Sequence, residues 1–468
     1  MKQVLFIAYY FPPIAASGAM RPLGFCRHLE AYGWRPCVLT TTPESVYPPH
    51  PVDHHLATYV PAHVRVEHVG YRDSLSRLID MRNRVRNSIL ARSVSRPDAG
   101  GTVQSQPPAT DFAPKPGSIL KDAVLDWLFA FPDRQASWVA PAVERIVSLK
   151  GQVNPDVVVA TGGPWTNFVV GRTLARRLGC PLILDYRDPW TCNPYYAFSA
   201  KFLTEKARRL EKSMCLTASR VITNTEELRQ RLCVEYPGIE RKSIAIPNGF
   251  DPEILGTGDP DAAATQEAVH KGYELCHFGT VYGKRTPGTL FRAVWELHQE
   301  GVLKPEHLRL RFVGAWDSAD EGCNRLAQSL EKHSLLTREP PMSHQSCVRQ
   351  MKQAPVLLIV QPESPLQVPG KIYEYIALGR PLLLVGGEGA TAGLVHRHNL
   401  GVTCPNDLKT LKKTLHDLSL GLMPLSPPDR DTVKQFSYQR LAKCLADSLD
   451  AAIMDATLPH HGNSARYA

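Results

Sequence analysis

The chain has 468 residues, 43% hydrophobic and 21% charged, an ordinary globular composition that excludes a mainly disordered chain, a collagen or a coiled coil. At about 150 residues per domain, that length gives roughly three units or two large α/β lobes. Lys plus Arg exceeds Asp plus Glu by 54 − 45 = 9, which suits a phosphate-bearing substrate or an anionic membrane surface and is too small to argue for nucleic acid. The opening residues, Val4 to Tyr10, form a continuous apolar run, as a strand covered on both faces does. The run is too short for a signal peptide, and Pro12-Pro13 follow without a small-residue cleavage site. A small-residue loop ending in Ser17-Gly18 leads into Leu23, Cys26, Leu29 and Tyr32 at helical spacing, with Gly33 as the stop. Cys37–Thr40 is the next strand, completing a βαβ unit.

Residues 71–96 carry seven Arg against two Asp, with Leu75, Leu78, Val85 and Ile89 roughly on one helical face. Residues 97–118 are rich in Pro, Gly, Ser and Thr and read as a loop or flexible insertion. Helical patterns follow at Ile119–Phe131 and Ala140–Leu149. Strands are expected at Asp156–Thr161, Pro181–Asp185, Val221–Thr223 and Ser243–Ile246, with a helix over 166–178. Residues 1–251 thus form one lobe, 252–270 a polar linker, 271–440 a second lobe, and 441–468 the end of a closing helix (434–454) and a tail. Strands of the second lobe are expected at Glu274–Phe278, Leu310–Val313, Val356–Val360, Pro381–Val385 and Gly401–Thr403.

The eleven cysteines form no CxxC pair, an odd number that reads as reduced, mostly core thiols of a cytoplasmic protein. No apolar run approaches about 18 residues, so no transmembrane helix is expected. Two DxD patterns, at Asp259 and Asp429, lie in polar stretches away from strand ends, and no HExxH or GxSxG occurs, so no metal site is expected.

Two doubly wound lobes facing a cleft hold ligands at strand C-terminal ends. In the first lobe the backbone at Ser17-Gly18 suits close approach to a phosphate, with Arg21 one turn inside the helix, although an ordinary tight turn reads equally well. The strand ending at Leu184 runs into Asp185-Tyr186-Arg187-Asp188-Pro189-Trp190. There Asp188 suits proton acceptance or sugar hydroxyls, Arg187 suits orienting it, and Trp190 offers a flat face to a sugar ring; the plain alternative is a buried ion pair bracing the loop. Asn248-Gly249 is a turn before the linker. In the second lobe Gly279 lets backbone approach a ligand, and Lys284 and Arg285 suit a diphosphate. Gly370-Lys371 opens a helix after a buried strand, and Glu374 lies one turn on, on the same face as Lys371. A carboxylate there suits the two hydroxyls of a ribose; the plain alternative is an i, i+3 salt bridge.

These residues resemble the GT-B-fold, family-4-type glycosyltransferases of bacterial polysaccharide and glycolipid assembly. The resemblance rests on pieces in family order: Tyr10-Phe11-Pro12-Pro13 with Ser17-Gly18 and Arg21; Phe131-Pro132-Asp133-Arg134 with Trp138; Gly163-Pro164; Asp185 to Trp190; Pro247 to Asp251; Phe278-Gly279 with Arg285; and Pro369-Gly370-Lys371 leading to Glu374-Tyr375. It implies two Rossmann-like domains and a hexosyltransferase that uses a nucleotide-sugar donor and no cofactor. Arg285 and Lys371 would bind the diphosphate, Glu374 the ribose, and Gly18 the phosphate from the other lobe. Arg21, Gly279, Lys284 and Gly370 complete the donor set, Asp188 and Arg187 the catalytic pair, and Trp165 and Trp190 the acceptor contacts. The acceptor would be a saccharide or a polyprenyl-linked sugar, the outcome retaining, and the Arg-rich segment a peripheral contact with anionic membrane. Two positions depart from the family: Leu366 stands where it often has a Glu, with Glu363 three residues too early, and Trp165-Thr166-Asn167 replaces a family His. A nucleotide-sugar 2-epimerase and a non-catalytic nucleotide-sugar-binding subunit are the competing readings.

Overall fold

A computed structural model describes residues 1–46, 49–72, 131–193, 200–256, 273–283, 286–361, 365–423 and 425–457. The Arg-rich stretch from residue 73, the insertion at 97–118, the predicted helix at 119–131 up to its last residue, and residues 257–270 of the predicted linker lie outside them. So does the Asp259 DxD pattern. The chain divides into two compact units. The first comprises Met1–Thr223, Leu232–Ile244 and Ala442–Ala468; the second comprises Asn224–Arg231 and Ala245–Leu441.

The first unit holds a seven-stranded sheet among the described residues: β1 (Lys2–Ile7), β2 (Trp34–Thr41), β3 (Arg65–Val69), β4 (Val157–Gly162), β5 (Leu182–Tyr186), β6 (Arg220–Thr223) and β7 (Ser243–Ala245). The order is β3-β2-β1-β4-β5-β6-β7, parallel through β6. β4 is buried along its whole length, as its Val157-Val158-Val159-Ala160 run demands of a central parallel strand. The strand order reverses beside β1, which pairs with both β2 and β4, and ligands favour such a switch point. β3 was not expected, because Arg65, Glu67 and His68 break its apolar pattern. Glu67 is nevertheless buried there, held by Arg65 and Arg145.

The second unit repeats the plan with β8 (Tyr273–Phe278), β10 (Leu308–Val313), β12 (Leu336–Glu339), β13 (Val356–Gln361), β14 (Leu382–Gly386) and β15 (Gly401–Cys404). Their order is β12-β10-β8-β13-β14-β15, all parallel, with the switch point between β8 and β13. A two-stranded pair, β9 (Val281–Tyr282) and β11 (Trp316–Asp317), stands apart. Four of the unit's described helices begin on side-chain caps: Asp320 accepts from Cys323 N–H, Ser343 from Ser346, Asp407 from Thr410 and Asp429 from Thr432. The Asp429 DxD pattern is thus a helix cap.

The predicted helix at 434–454 is two helices, Arg430–Gln435 and Tyr438–Thr457. The break admits a backbone exchange with Phe250, whose N–H donates to Phe436 O at 3.0 Å and whose C=O accepts from Tyr438 N–H at 2.8 Å. Gly249 permits this approach, since a β-carbon there would lie 2.4 Å from Phe436 O. All eleven cysteines are free thiols, six of them buried. Among the described residues no helix is long and apolar enough to cross a membrane.

Candidate functional site

In the second unit β8 and β13 end side by side at the switch point. β8 delivers His277, Phe278 and Gly279; the chain after β13 delivers Gly370 and the helix Lys371–Ala377. Three donors hold the approach to that helix. Gln361 Nε2 and Thr391 Oγ1 each donate to Gln367 O at 3.0 Å, and Thr225 Oγ1 donates to Leu366 O at 2.9 Å. The buried Tyr375 hydroxyl ties the helix to the end of β8, accepting from Phe278 N–H at 2.9 Å.

Lys371 and Glu374 share a face, as their spacing requires, and their Nζ and Oε2 atoms lie 3.1 Å apart. The plain salt-bridge alternative is therefore realised, but both side chains keep part of their surface, 31% and 25%. His344 approaches the other Glu374 oxygen at 3.7 Å. Burial pushes the Glu374 carboxyl up, but the nearby His344 and the charge of Lys371 outweigh it and hold the group below its ordinary value. Gly370 has right-handed helical backbone, and a β-carbon there would meet nothing within 4 Å.

His277 adds a titratable group that the sequence did not single out. Its Nδ1 lies 3.0 Å from Leu358 O, which only accepts, so Nδ1 carries the proton and Nε2 is a bare acceptor. Burial, helped by the charge of Lys371, pushes its pKa down from 6.5 to about 4. Between those values the unfolded chain binds a proton that the folded chain refuses, so acid favours unfolding. Unfolding free energy should therefore fall as pH drops from 6.5 toward about 4, by up to about 3 kcal/mol, and His277→Gln should remove that slope in urea titrations.

Beside Gly279 lies a cavity of about 390 Å³ lined by Gly314, Trp316, Arg338 and Pro340 among others. Gly314 has φ +146°, and a β-carbon there would fall 2.2 Å from Gly279 O, so the two strand ends press together. Arg338 binds Glu331 through both Nε (2.7 Å) and Nη2 (2.8 Å) and sits 4.9 Å over the Trp316 ring. Lys284 and Arg285 lie outside the described residues.

The first unit also gathers residues at its switch point, in roles that differ from those expected. Arg21 is 2% exposed and binds Asp185, with Nε 3.1 Å from both carboxylate oxygens and Nη2 2.8 Å from Oδ1. It braces the loop as a buried ion pair, which corrects its assignment as a donor ligand. Arg187 donates from Nε to Gly162 O at 2.9 Å and from Nη2 to Gly163 O. Its guanidinium covers the Gly18 α-carbon, where a β-carbon would lie 1.9 Å from Nη1. Glycine at 18 thus makes room for Arg187. Asp188 follows, half-buried, its charge acting on Arg187.

Trp190 is fully buried and stacked on Trp165, with ring centroids 5.0 Å apart and planes within 9°. Trp165 is itself 5% exposed, so neither indole offers a face to a sugar, and the acceptor role expected for both is corrected to core packing. Asp133, quoted only as part of a motif, organises the neighbourhood. It accepts from Thr166 N–H at 2.9 Å and Gln135 N–H at 3.1 Å, fixing the start of helix Thr166–Leu178 just beyond the carbonyls that grip Arg187.

Residues 109–254 match Glycosyltransferase Family 4. A D-inositol 3-phosphate glycosyltransferase of Nocardiopsis dassonvillei is 25% identical over 279 residues, 56% of this chain and 65% of that protein. The match thus spans less than two thirds of that relative's length. Among solved structures, Anabaena HepE in complex with UDP and glucose superimposes with a TM-score of 0.53 at 14% identity, covering 97% of this chain and 98% of that one. Sucrose-phosphate synthase from Thermosynechococcus elongatus gives 0.55 at 15% identity, covering 98% and 100%. Both likenesses are of fold, and the fold is GT-B.

Proposed function

We propose that this GT-B chain of the family-4 glycosyltransferase type moves a hexosyl group from a nucleotide-sugar donor to a saccharide or lipid-linked acceptor, with retention and without a metal, in polysaccharide or glycolipid assembly. The observation that carries the reading is the grouping of Lys371, Glu374, His344 and His277 at the ends of β8 and β13. Lys371 answers the charge of the diphosphate. Glu374, held ionised, accepts two ribose hydroxyls. Gly279 and Gly370 leave the backbone open to the ligand, and the cavity beside Gly279 has room for the base.

In the transfer, the bond from the sugar anomeric carbon to the diphosphate oxygen breaks, and a bond from the acceptor oxygen to that carbon forms on the same face. The acceptor proton passes to the departing phosphate oxygen. Negative charge grows on the leaving group, where a preorganised cation is worth most. Asp188 of the first unit is assigned to the acceptor side, with Arg187 orienting it.

A panel of UDP-, GDP- and dTDP-sugars tested against thermal unfolding identifies the donor. At about 100 times its Kd the right one should stabilise by about 2.7 kcal/mol, a rise of roughly 5 °C or more in Tm. A flat response across the panel refutes the donor site. Leu366, standing where the family often carries a Glu, favours as a second reading a subunit that binds the donor without turnover. An acceptor-dependent product assay on the stabilising donor separates the two, and product formed without acceptor would indicate an epimerase.

A further inference from the structure

Helix Lys201–Thr217 of the first unit is strongly two-faced. Leu203, Ala207, Glu211, Met214 and Cys215 are buried against the unit. The opposite face exposes Lys201, Lys206, Arg208, Arg209 and Lys212, against one exposed carboxylate, Glu205. Arg209 reaches Glu205 at 3.2 Å yet stays 79% exposed. Phe202 projects among these cations with 55% of its surface exposed, and Leu216 at the far end with 42%. Phe202, Lys206, Arg209, Ser213 and Leu216 follow the four-three spacing of a single helical stripe. A face rich in Lys and Arg that also presents a phenyl ring has the composition of a helix lying at a membrane interface.

The helix also borders the proposed acceptor region. Lys206 Nζ sits 4.3 Å from the centre of the Phe131 ring, two residues before the Asp133 that fixes the Arg187 pocket. We propose that the outward face of helix Lys201–Thr217 docks on a bilayer rich in anionic headgroups, with Phe202 entering the headgroup layer. Charge complementarity selects the partner: a row of cations meets a plane of lipid phosphates, and a phenyl ring gains from a surface with an apolar interior. Docking brings the Phe131–Asp133 edge toward lipid-borne sugars. This purpose rests on the acceptor reading, but the docking itself does not.

The test is co-sedimentation of the full chain with vesicles of phosphatidylcholine alone and of phosphatidylcholine mixed with phosphatidylglycerol, which needs no turnover. Binding is expected to the mixed vesicles alone and to fall with salt. The triple variant Arg208→Glu/Arg209→Glu/Lys212→Glu should bind at least about 100-fold more weakly, at about fivefold per cation lost. Phe202→Ser should weaken binding several-fold, and circular dichroism should show both variants folded. The inference is overturned if the wild-type chain ignores anionic vesicles, or if the triple variant binds them as the wild type does. It is overturned equally if Phe202→Ser has no effect while the triple variant does, which would show attraction by charge alone with no ring in the headgroup layer.

Discussion

Lys371→Ala should lower transfer by roughly 100- to 1000-fold, the loss that follows removal of one preorganised donor to developing charge. Glu374→Ala should be comparably damaging, through loss of donor binding. Both proteins should stay folded, because the pair is part-exposed and a pair of that kind contributes about 1 kcal/mol or less. Steady-state kinetics on the donor found by the thermal panel checks both, and wild-type turnover in either variant removes that residue from the site. Glu374→Gln separates charge from shape: it keeps one acceptor oxygen but loses the attraction to Lys371 and His344. The carboxylate's depressed pKa also fixes a pH response. Its contribution to stability is complete above the ordinary value of 4.5 and is lost as pH falls below it, through the folded-state value.

Asp185→Ala should cost about 3–5 kcal/mol of stability, because it strands the Arg21 guanidinium, 2% exposed, without its counter-charge. Once Trp295 and Trp316 of the second unit are replaced by Phe, urea unfolding followed by tryptophan fluorescence reads the loss, since Trp165 and Trp190 are stacked in the core of the first unit. The double variant Arg21→Met/Asp185→Leu should recover most of the loss, because apolar groups of similar volume often match or exceed a buried ion pair. A single variant as stable as wild type would show that the pair does not brace the loop.

The residues that sequence reading placed well are those whose signal is local. The apolar runs of β4 and β13 declare central parallel strands because both faces are covered. That Lys371 and Glu374 share a helix face follows from their spacing. The edge strands β3 and β12 were missed because charges interrupt their apolar pattern, and those charges are paired in the fold: Glu67 with Arg65 and Arg145, and Arg338 with Glu331. His344 reaches Glu374 from another helix thirty residues upstream, beyond any spacing rule. The same distance misled the reading of Arg21. Its carboxylate lies 164 residues along the chain, so an arginine at a helix start looked like a free anion ligand. The indoles of Trp165 and Trp190 misled differently, since a sequence shows that a ring is present but not what already lies on its face.

Gly370 offers a way to tell what the protein needs in order to exist from what it needs in order to work. An alanine methyl there would find open space, and the local backbone suits any L-residue. In a saturation library sorted once for soluble expression and once for product, the column at 370 should be permissive in the first sort and restricted to glycine in the second. The column at 314, where a methyl would strike Gly279, should be restricted in both. Divergence between the two sorts would map, without any bound ligand, the atoms reserved for one.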